Sequence, residues 1–253
     1  MIPFTVIIPA RYASTRLPAK PLADIHGKPM VVRVAERALA SGAQAVWIAA
    51  DDERILAAAR THGIPCLMTS AHHTSGTDRI GEAARLLRLA DDQIVVNVQG
   101  DEPLIEPVLI HQVAQELADH ADCALSTLCY PIHDEATFRN PNAVKVVMNR
   151  QGRALYFSRS AIPWPRAGWH ADTIAFRHIG LYAYRVSFLN TFGRLSPCAH
   201  EETEALEQLR ALWHGFSIQV GISAHETAPG VDTADDLEYV RKLFYPPHPY
   251  HES

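Results

Sequence analysis

An α/β fold is what this sequence predicts: a mainly parallel twisted sheet with helices on both faces. Three observations carry it. Short β-branched runs such as Val6-Ile7-Ile8 and Ile94-Val95-Val96 suit strands buried on both faces. Segments with helical apolar spacing alternate with those runs, the pattern of βαβ units. The runs at 6–8 and 94–98 each open into a polar loop, and open α/β sheets bind ligands at the C-terminal ends of their strands.

Taken in order, Val6 to Ile8 forms the first strand, which Pro9 should end because it brings no ladder donor. Arg11, Arg16 and Lys20 then fall within one short loop, spaced by small residues and tethered by Pro18 and Pro21. Clustered cations beside free backbone N–H groups make a workable anion trap, and a solvated surface loop is the alternative reading. Residues 30–41 place Val31, Val34, Ala35, Ala38 and Leu39 on one helical face, and Gly42 stops that helix. Residues 46–49 read as a strand. Asp51 is placed to cap the next helix, with Asp52 and Glu53 in its acidic first turn and Gly63 at its end. Residues 65–68 read as a third strand.

Thr74-Ser75-Gly76-Thr77-Asp78-Arg79 leads into a helix reaching Leu89, with Ser75 or Thr77 as its cap. Gly76 and Gly81 have P-loop spacing, but Glu82-Ala83 stands where Lys-Ser/Thr is required, and no G-x-G-x-x-G occurs. A dehydrogenase is therefore disfavoured. The strand 94–98 runs into Gln99-Gly100-Asp101-Glu102-Pro103, which puts the Asp101 carboxylate at the sheet edge. A hard oxygen ligand there suits Mg²⁺ shared with phosphate oxygens, and a turn or capping aspartate is the plain alternative.

A helix at 107–120 and a strand at 124–128 follow. The middle section has no helical period and is rich in proline and aromatics, as in Ile162-Pro163-Trp164-Pro165. It reads as a β-rich subregion within 124–190 that contributes to the ligand pocket and an oligomer interface of a single domain spanning 1–253. Residues 177–185 alternate like a strand. Residues 201–214 read as one helix, with Leu206, Leu209 and Trp213 as its apolar stripe and Glu201, Glu204 and Gln208 on another face. A strand at 218–221 precedes the helix 234–243, capped by Asp232 or Thr233, and the tail from Pro246 reads as loose.

Composition narrows the function. With 47% apolar and 20% charged residues the chain has ample core-forming material. No apolar run approaches the roughly 20 residues that span a bilayer. Met1-Ile2-Pro3-Phe4 carries no charged n-region, so no signal peptide is expected and the cytoplasm is the default. Cys66, Cys123, Cys129 and Cys198 form no C-x-x-C and read as reduced structural thiols. No H-E-x-x-H occurs, and His72, His73, His248 and His251 read as surface residues. A net charge of −5 argues against nonspecific nucleic-acid binding. It does not forbid anionic ligands, because a close ion pair is worth about 4 kcal/mol near a surface while distant charges are screened.

The loop P-A-R-Y-A-S-T-R-L-P-A-K-P resembles the signature loop of the sugar nucleotidyltransferases of the cytidylyltransferase branch. S-G-T-D-R, N-V-Q-G-D-E-P, N-P-N-x-V-K-V-V, Y-F-S-R, R-H-x-G-x-Y-x-Y-R and E-x-x-E-x-L-E-Q-L-R follow in that family's order, so the resemblance covers nearly all of residues 3–243. It is most similar to the members that activate the acid sugar 3-deoxy-manno-octulosonate (Kdo) for lipopolysaccharide synthesis. The resemblance implies a Rossmann-like fold of the nucleotide-diphospho-sugar transferase type, substrates CTP and Kdo, Mg²⁺ as cofactor, and a homodimer. It implies nucleotide contacts from Ala10, Arg11, Arg16, Lys20, Ser75, Arg79 and Gln99, with Arg79 on the cytosine. Gln99, Arg159, His178, Tyr182, Glu207 and Gln208 would contact the sugar. Asp101 and Asp232 would ligate the metal and, with Arg11 and Lys20, carry the catalysis. There are two departures: Ala19 stands where glycine is usual, and Cys198-Ala199-His200 where relatives carry Ser-Pro-Leu. A cytidylyltransferase for 8-amino-Kdo, sialic acid or methylerythritol phosphate, and a non-catalytic nucleotide-binding regulator, are the alternatives.

Overall fold

The computed structural model describes residues 2–14, 16–73, 75–170, 172–228 and 230–244. Thr74, Pro229 and the tail with His248 and His251 lie outside them. Strand β1 (Phe4–Ala10) leads into a single 3-10 turn at Lys20–Leu22 and a small hairpin, β2 (Asp24–Ile25) and β3 (Lys28–Pro29). Then come α1 (Met30–Leu39), β4 (Ala45–Ala50), α2 (Glu53–Thr61), β5 (Cys66–Met68), α3 (Gly76–Leu86), β6 (Ile94–Asn97) and α4 (Pro107–Ala118). The second half holds β7 (Leu125–Pro131), α5 (Glu135–Arg139), β8 (Lys145–Met148), β9 (Ala154–Ser158) and β10 (Phe176–Arg185). It closes with α6 (Val186–Phe192), α7 (Ala199–Glu204), α8 (Gln208–Trp213), β11 (Ile218–Ile222) and α9 (Ala234–Leu243).

Among the described residues these strands make one nine-stranded sheet along the path β11-β7-β10-β6-β1-β4-β5, with β8 and β9 appended to β10. Every pair on that path is parallel except the two that β10 makes. The mainly parallel sheet is therefore as expected. Residues 124–190 are β-rich, but β7 and β10 lie inside the central sheet and only β8 and β9 extend beyond it.

The sheet is covered on both faces, and its central strands β1 and β6 are buried at every position. Along β1, Val6 and Ile8 pack into one core with residues of α1, α2 and α4, while Ile7 packs into the other with residues of α3, α6 and α8. Pro9 does not end β1, which runs on to Ala10 beside β4. The carbonyl of Pro9 faces Gly100, on the β6 side, where the last bond is Val98 N–H to the Ile7 carbonyl. Its missing N–H points the same way, past the end of that ladder, and so costs no bond.

Two other expectations are corrected, and at the last helix one of the two offered caps is selected. The cap of α2 is Asp52, whose side chain accepts from the Arg54 N–H, and Asp51 is left free for other partners. The helix read across 201–214 is two short helices, α7 and α8, separated at Ala205, which takes a left-handed φ of 49°. Trp213 accordingly leaves the apolar stripe and is exposed, while Leu206 and Leu209 stay buried. At the start of α9, Thr233 rather than Asp232 is the cap, in a reciprocal pairing with Asp236.

Ala19 also has a left-handed backbone, with φ 53° and ψ 33°, at the entry to the 3-10 turn that carries Lys20. A Cβ in that region costs roughly 1 kcal/mol. Ala19→Gly should therefore raise the unfolding free energy in urea by about 1 kcal/mol, less the greater flexibility of unfolded glycine. A lowered midpoint would contradict the strain.

Candidate active site

β1 and β6 are adjacent and parallel, so the loops that follow Ala10 and Asn97 leave the same edge of the sheet side by side. They are pressed together there: a Cβ on Gly100 would lie 2.9 Å from the Pro9 carbonyl, which only glycine avoids. On the far side, the first turn of α3 packs its Gly76 against the Pro9 ring. Three segments thus converge at the end of β1.

Lys20 sits at the centre. Its ammonium lies 2.6 Å from Asp101 Oδ2 and 3.1 Å from Asp232 Oδ1, and donates to the Val231 carbonyl at 2.9 Å. Val231 N–H donates in turn to the Asp101 carbonyl at 2.8 Å, and Arg16 reaches Asp232 Oδ1 at 3.0 Å. Both carboxylates implied for the metal therefore meet at one point, facing the N-terminal cations. Thr233 makes this possible by taking the capping duty at α9.

A cavity of about 300 Å³ opens beside this cluster. Ala10, Arg11, Arg16, Lys20, Ser75, Arg79 and Gln99 all border it, as do Asp101 and Asp232. Arg79 is only 3% exposed; it donates to Asp51 Oδ2 at 2.9 Å and to Thr69 Oγ1 at 2.7 Å. Asp51 also accepts from the Tyr12 N–H at 2.9 Å, which ties the N-terminal loop to Arg79. Read in the sequence as a helix cap, Asp51 is thus a strut of the cavity wall. His73 is likewise no plain surface residue. It borders the cavity, half-buried against Glu82, a pairing that reading nine positions along the chain gave no signal for.

A second, smaller cavity of about 60 Å³ gathers Tyr182, Glu207 and Gln208 around Thr77 and Tyr184. Thr77 Oγ1 donates to Glu207 Oε2 at 2.9 Å, so the first turn of α3 is a wall common to both cavities. Tyr182 Oη and Gln208 Nε2 are buried here without a partner, and so is Asn97 Oδ1 at the end of β6. Each such orphan costs on the order of 1–3 kcal/mol. Three of them at this edge of the sheet suit a polar, hydroxyl-bearing ligand. Burial pushes the Glu207 carboxyl above its ordinary range. Burial and the neighbouring Asp101 charge push Glu102 up to about 7.

Arg159 and His178 border neither of these two cavities. Arg159 donates to the carbonyls of Glu204, Pro141 and Ala205 at 2.6, 3.2 and 3.4 Å. His178 Nε2 meets Thr127 Oγ1 at 2.9 Å, and its ring packs against Phe157 and Tyr182. Thr127 donates its own proton toward the Leu181 carbonyl, so the imidazole is the donor.

The sequence model of a family described as cytidylyltransferase matches residues 5–219. The chain belongs to that cytidylyltransferase family. A curated relative, the 3-deoxy-manno-octulosonate cytidylyltransferase of Polynucleobacter necessarius, is 56% identical over 241 residues, 95% of either chain. A solved CMP:2-keto-3-deoxy-manno-octonic acid synthetase complexed with CTP superposes with a TM-score of 0.89 at 43% identity, over 96% of this chain and 98% of that one. A cytidylyltransferase of Leptospira borgpetersenii matches with a TM-score of 0.62 at 17% identity, over 97% and 89%, and bears on the fold alone. As a cytidylyltransferase fold, the molecule places its cation–carboxylate cluster at the strand ends, where α/β sheets of this kind take their ligands.

Enclosure holds the His178 pKa down at about 3, against about 6.5 for a free imidazole. The unfolded chain therefore takes up a proton between those values that the folded chain refuses, and acidification from pH 6.5 towards 3 favours unfolding. Urea midpoints measured at pH 7 and pH 5 should fall less on acidification in His178→Gln than in the parent. An equal fall in both would contradict this.

Proposed function

We propose that this cytidylyltransferase transfers CMP from CTP to the anomeric 2-hydroxyl of Kdo, giving CMP-Kdo and pyrophosphate for lipopolysaccharide synthesis. The single observation that carries the reading is Lys20 held between Asp101 and Asp232 at the rim of the larger cavity. The donor set there is two carboxylates and a carbonyl, all hard oxygens. Among the described residues no group of three His, Cys, Asp or Glu side chains is placed to cage a metal. Such a site fits Mg²⁺, which completes its shell with phosphate and water. Asp101 and Asp232 would hold the ion, which would neutralise phosphate charge and lower the pKa of the attacking hydroxyl.

The chain's own part is positioning and charge. The sugar hydroxyl attacks the α-phosphorus opposite the leaving pyrophosphate, a step that needs alignment and fixed positive charge more than covalent help. Arg11, Arg16 and Lys20 receive the charge that builds on the pyrophosphate. Arg79 and Ser75 hold the nucleoside end at α3. Gln99, two residues past β6, borders the larger cavity and would meet the nucleotide and the sugar from there. Tyr182, Glu207 and Gln208 receive the sugar's hydroxyls and satisfy the orphaned Tyr182 and Gln208 atoms. His178 backs Tyr182, and Arg159 backs the turn at Ala205. The apolar side chains of Leu155, Trp164 and Ile174, 60%, 61% and 74% exposed, support a homodimer through the 124–190 segment. The four free cysteines, and the absence among the described residues of a helix long and apolar enough to cross a membrane, support a cytoplasmic place.

The test is pyrophosphate release with CTP across Kdo, 8-amino-Kdo and sialic acid, with Mg²⁺ or excess chelator, on parent and Asp101→Asn. Kdo should be preferred, and both chelator and the substitution should cut turnover by more than about 100-fold, since a metal ligand is lost. Near-normal turnover in the variant refutes the metal role, and no release with any acid sugar refutes the reaction. Sedimentation of the same preparation as a monomer would refute the dimer.

A further inference from the structure

Between the end of β9 and α7 lies a set of contacts of which the reaction above uses only Arg159. Lys145 is fully buried on β8; its ammonium donates to the Arg159 carbonyl at 2.7 Å and the Asn140 carbonyl at 2.8 Å, and the Glu204 charge favours its protonated form. That fixes the backbone at the end of β9. Glu204, the last residue of α7, is tied to the same point on three sides. Its carboxylate accepts from Ser158 Oγ at 2.6 Å and from the Arg159 N–H at 2.9 Å, and its carbonyl accepts from Arg159 Nε at 2.6 Å. The next residue is Ala205, with φ 49° and ψ 52°, and Arg159 also reaches its carbonyl.

A left-handed alanine is unfavourable and persists where its surroundings over-determine it. Here they do. The strand end holds Glu204 before the turn, and Arg210 grips Glu201 across it, with Arg210 Nε 2.8 Å from Glu201 Oε2. The turn has a consequence for function: it redirects the chain so that Glu207 and Gln208 enter the small cavity, where Gln208 Nε2 waits without a partner. A continuous helix through Ala205 would have carried them elsewhere.

We propose that Glu204 is a positioning residue for the acid-sugar side of the site. By anchoring α7 to the end of β9, it holds Ala205 left-handed and so aims Glu207 and Gln208 at the acceptor. Glu204 itself touches no substrate. The nucleotide side is built on β1, α3 and β6 and meets the positioned residues through Thr77, which donates to Glu207 Oε2. This rests on reading the smaller cavity as the acceptor site.

The experiment pairs Glu204→Gln with Glu204→Gln/Ala205→Gly. The amide of glutamine can accept from the Arg159 N–H only while turning its NH2 to Ser158, whose hydroxyl proton then loses its carboxylate acceptor, and glycine takes the left-handed turn without a clamp. In steady-state pyrophosphate release, the single variant should raise KM for Kdo about tenfold and leave KM for CTP within about twofold, the scale of one charged hydrogen bond lost on one side only. The double variant should recover most of the Kdo KM. Amide hydrogen exchange without substrate should be faster at 205–210 in the single variant and slower again in the double. An unchanged Kdo KM, a parallel rise in both KM values, or no rescue by Ala205→Gly overturns the proposal. If the parent uses no acid sugar with CTP, the acceptor reading fails instead. The exchange pattern still decides whether Glu204 sets the turn.

Discussion

One ammonium shared by two carboxylates organises this molecule. Lys20 and Asp232 are 212 positions apart, and Lys20 and Asp101 are 81 apart, yet all three meet within hydrogen-bond distance. Two carboxylates in one small space repel, and a partly buried site strengthens that repulsion. A cation between them reverses its sign, each contact being worth about 4 kcal/mol before the desolvation of both groups is subtracted. The Lys20 side chain is 16% exposed and those of Asp101 and Asp232 are 33% and 47% exposed, so solvent screens the Asp232 contact more than the Asp101 contact. The contact thereby closes the N-terminal loop, the end of β6 and the start of α9 into one rim.

The fold makes that rim possible by doing nothing else at the strand ends. β6 ends at Asn97 opposite Ile7 while β1 runs on to Ala10, Gly100 lets the next loop touch Pro9, and Thr233 caps α9 so that Asp232 is free. Asp52 does the same for Asp51, which is released to brace Arg79 against the N-terminal loop. In both places two adjacent polar residues divide the work: one ends a helix and its neighbour serves the site. The larger cavity then carries cations on one wall and carboxylates on another. The smaller one is lined by aromatic rings and unpaired polar atoms, a contrast that suits a triphosphate beside a polyhydroxy acid.

Much of this was legible from residues alone, for identifiable reasons. Burial on both faces turns β1 and β6 into continuous apolar runs, which sequence displays directly. What it hides is direction. The side toward which Pro9 lacks its N–H, and whether Asp51 or Asp52 faces the helix, depend on a half-turn of backbone that composition does not encode. The break at Ala205 left no trace because the left-handed residue is alanine, not glycine, and the apolar spacing runs through it. The meeting of Asp101 with Asp232 is a long-range contact. It was anticipated only through the resemblance of motifs, and the structure supplies the cation that explains it.

The most direct measurement is a stability cycle on that cation, with Lys20→Met made in the parent and in an Asp101→Asn/Asp232→Asn background and unfolding followed in urea at pH 7. If Lys20 neutralises both carboxylates, its loss destabilises the parent and is nearly neutral, or stabilising, once they are uncharged, a coupling of at least about 1 kcal/mol. An equal cost of Lys20→Met in both backgrounds would mean that the three side chains do not act together, and the account built on them would fall.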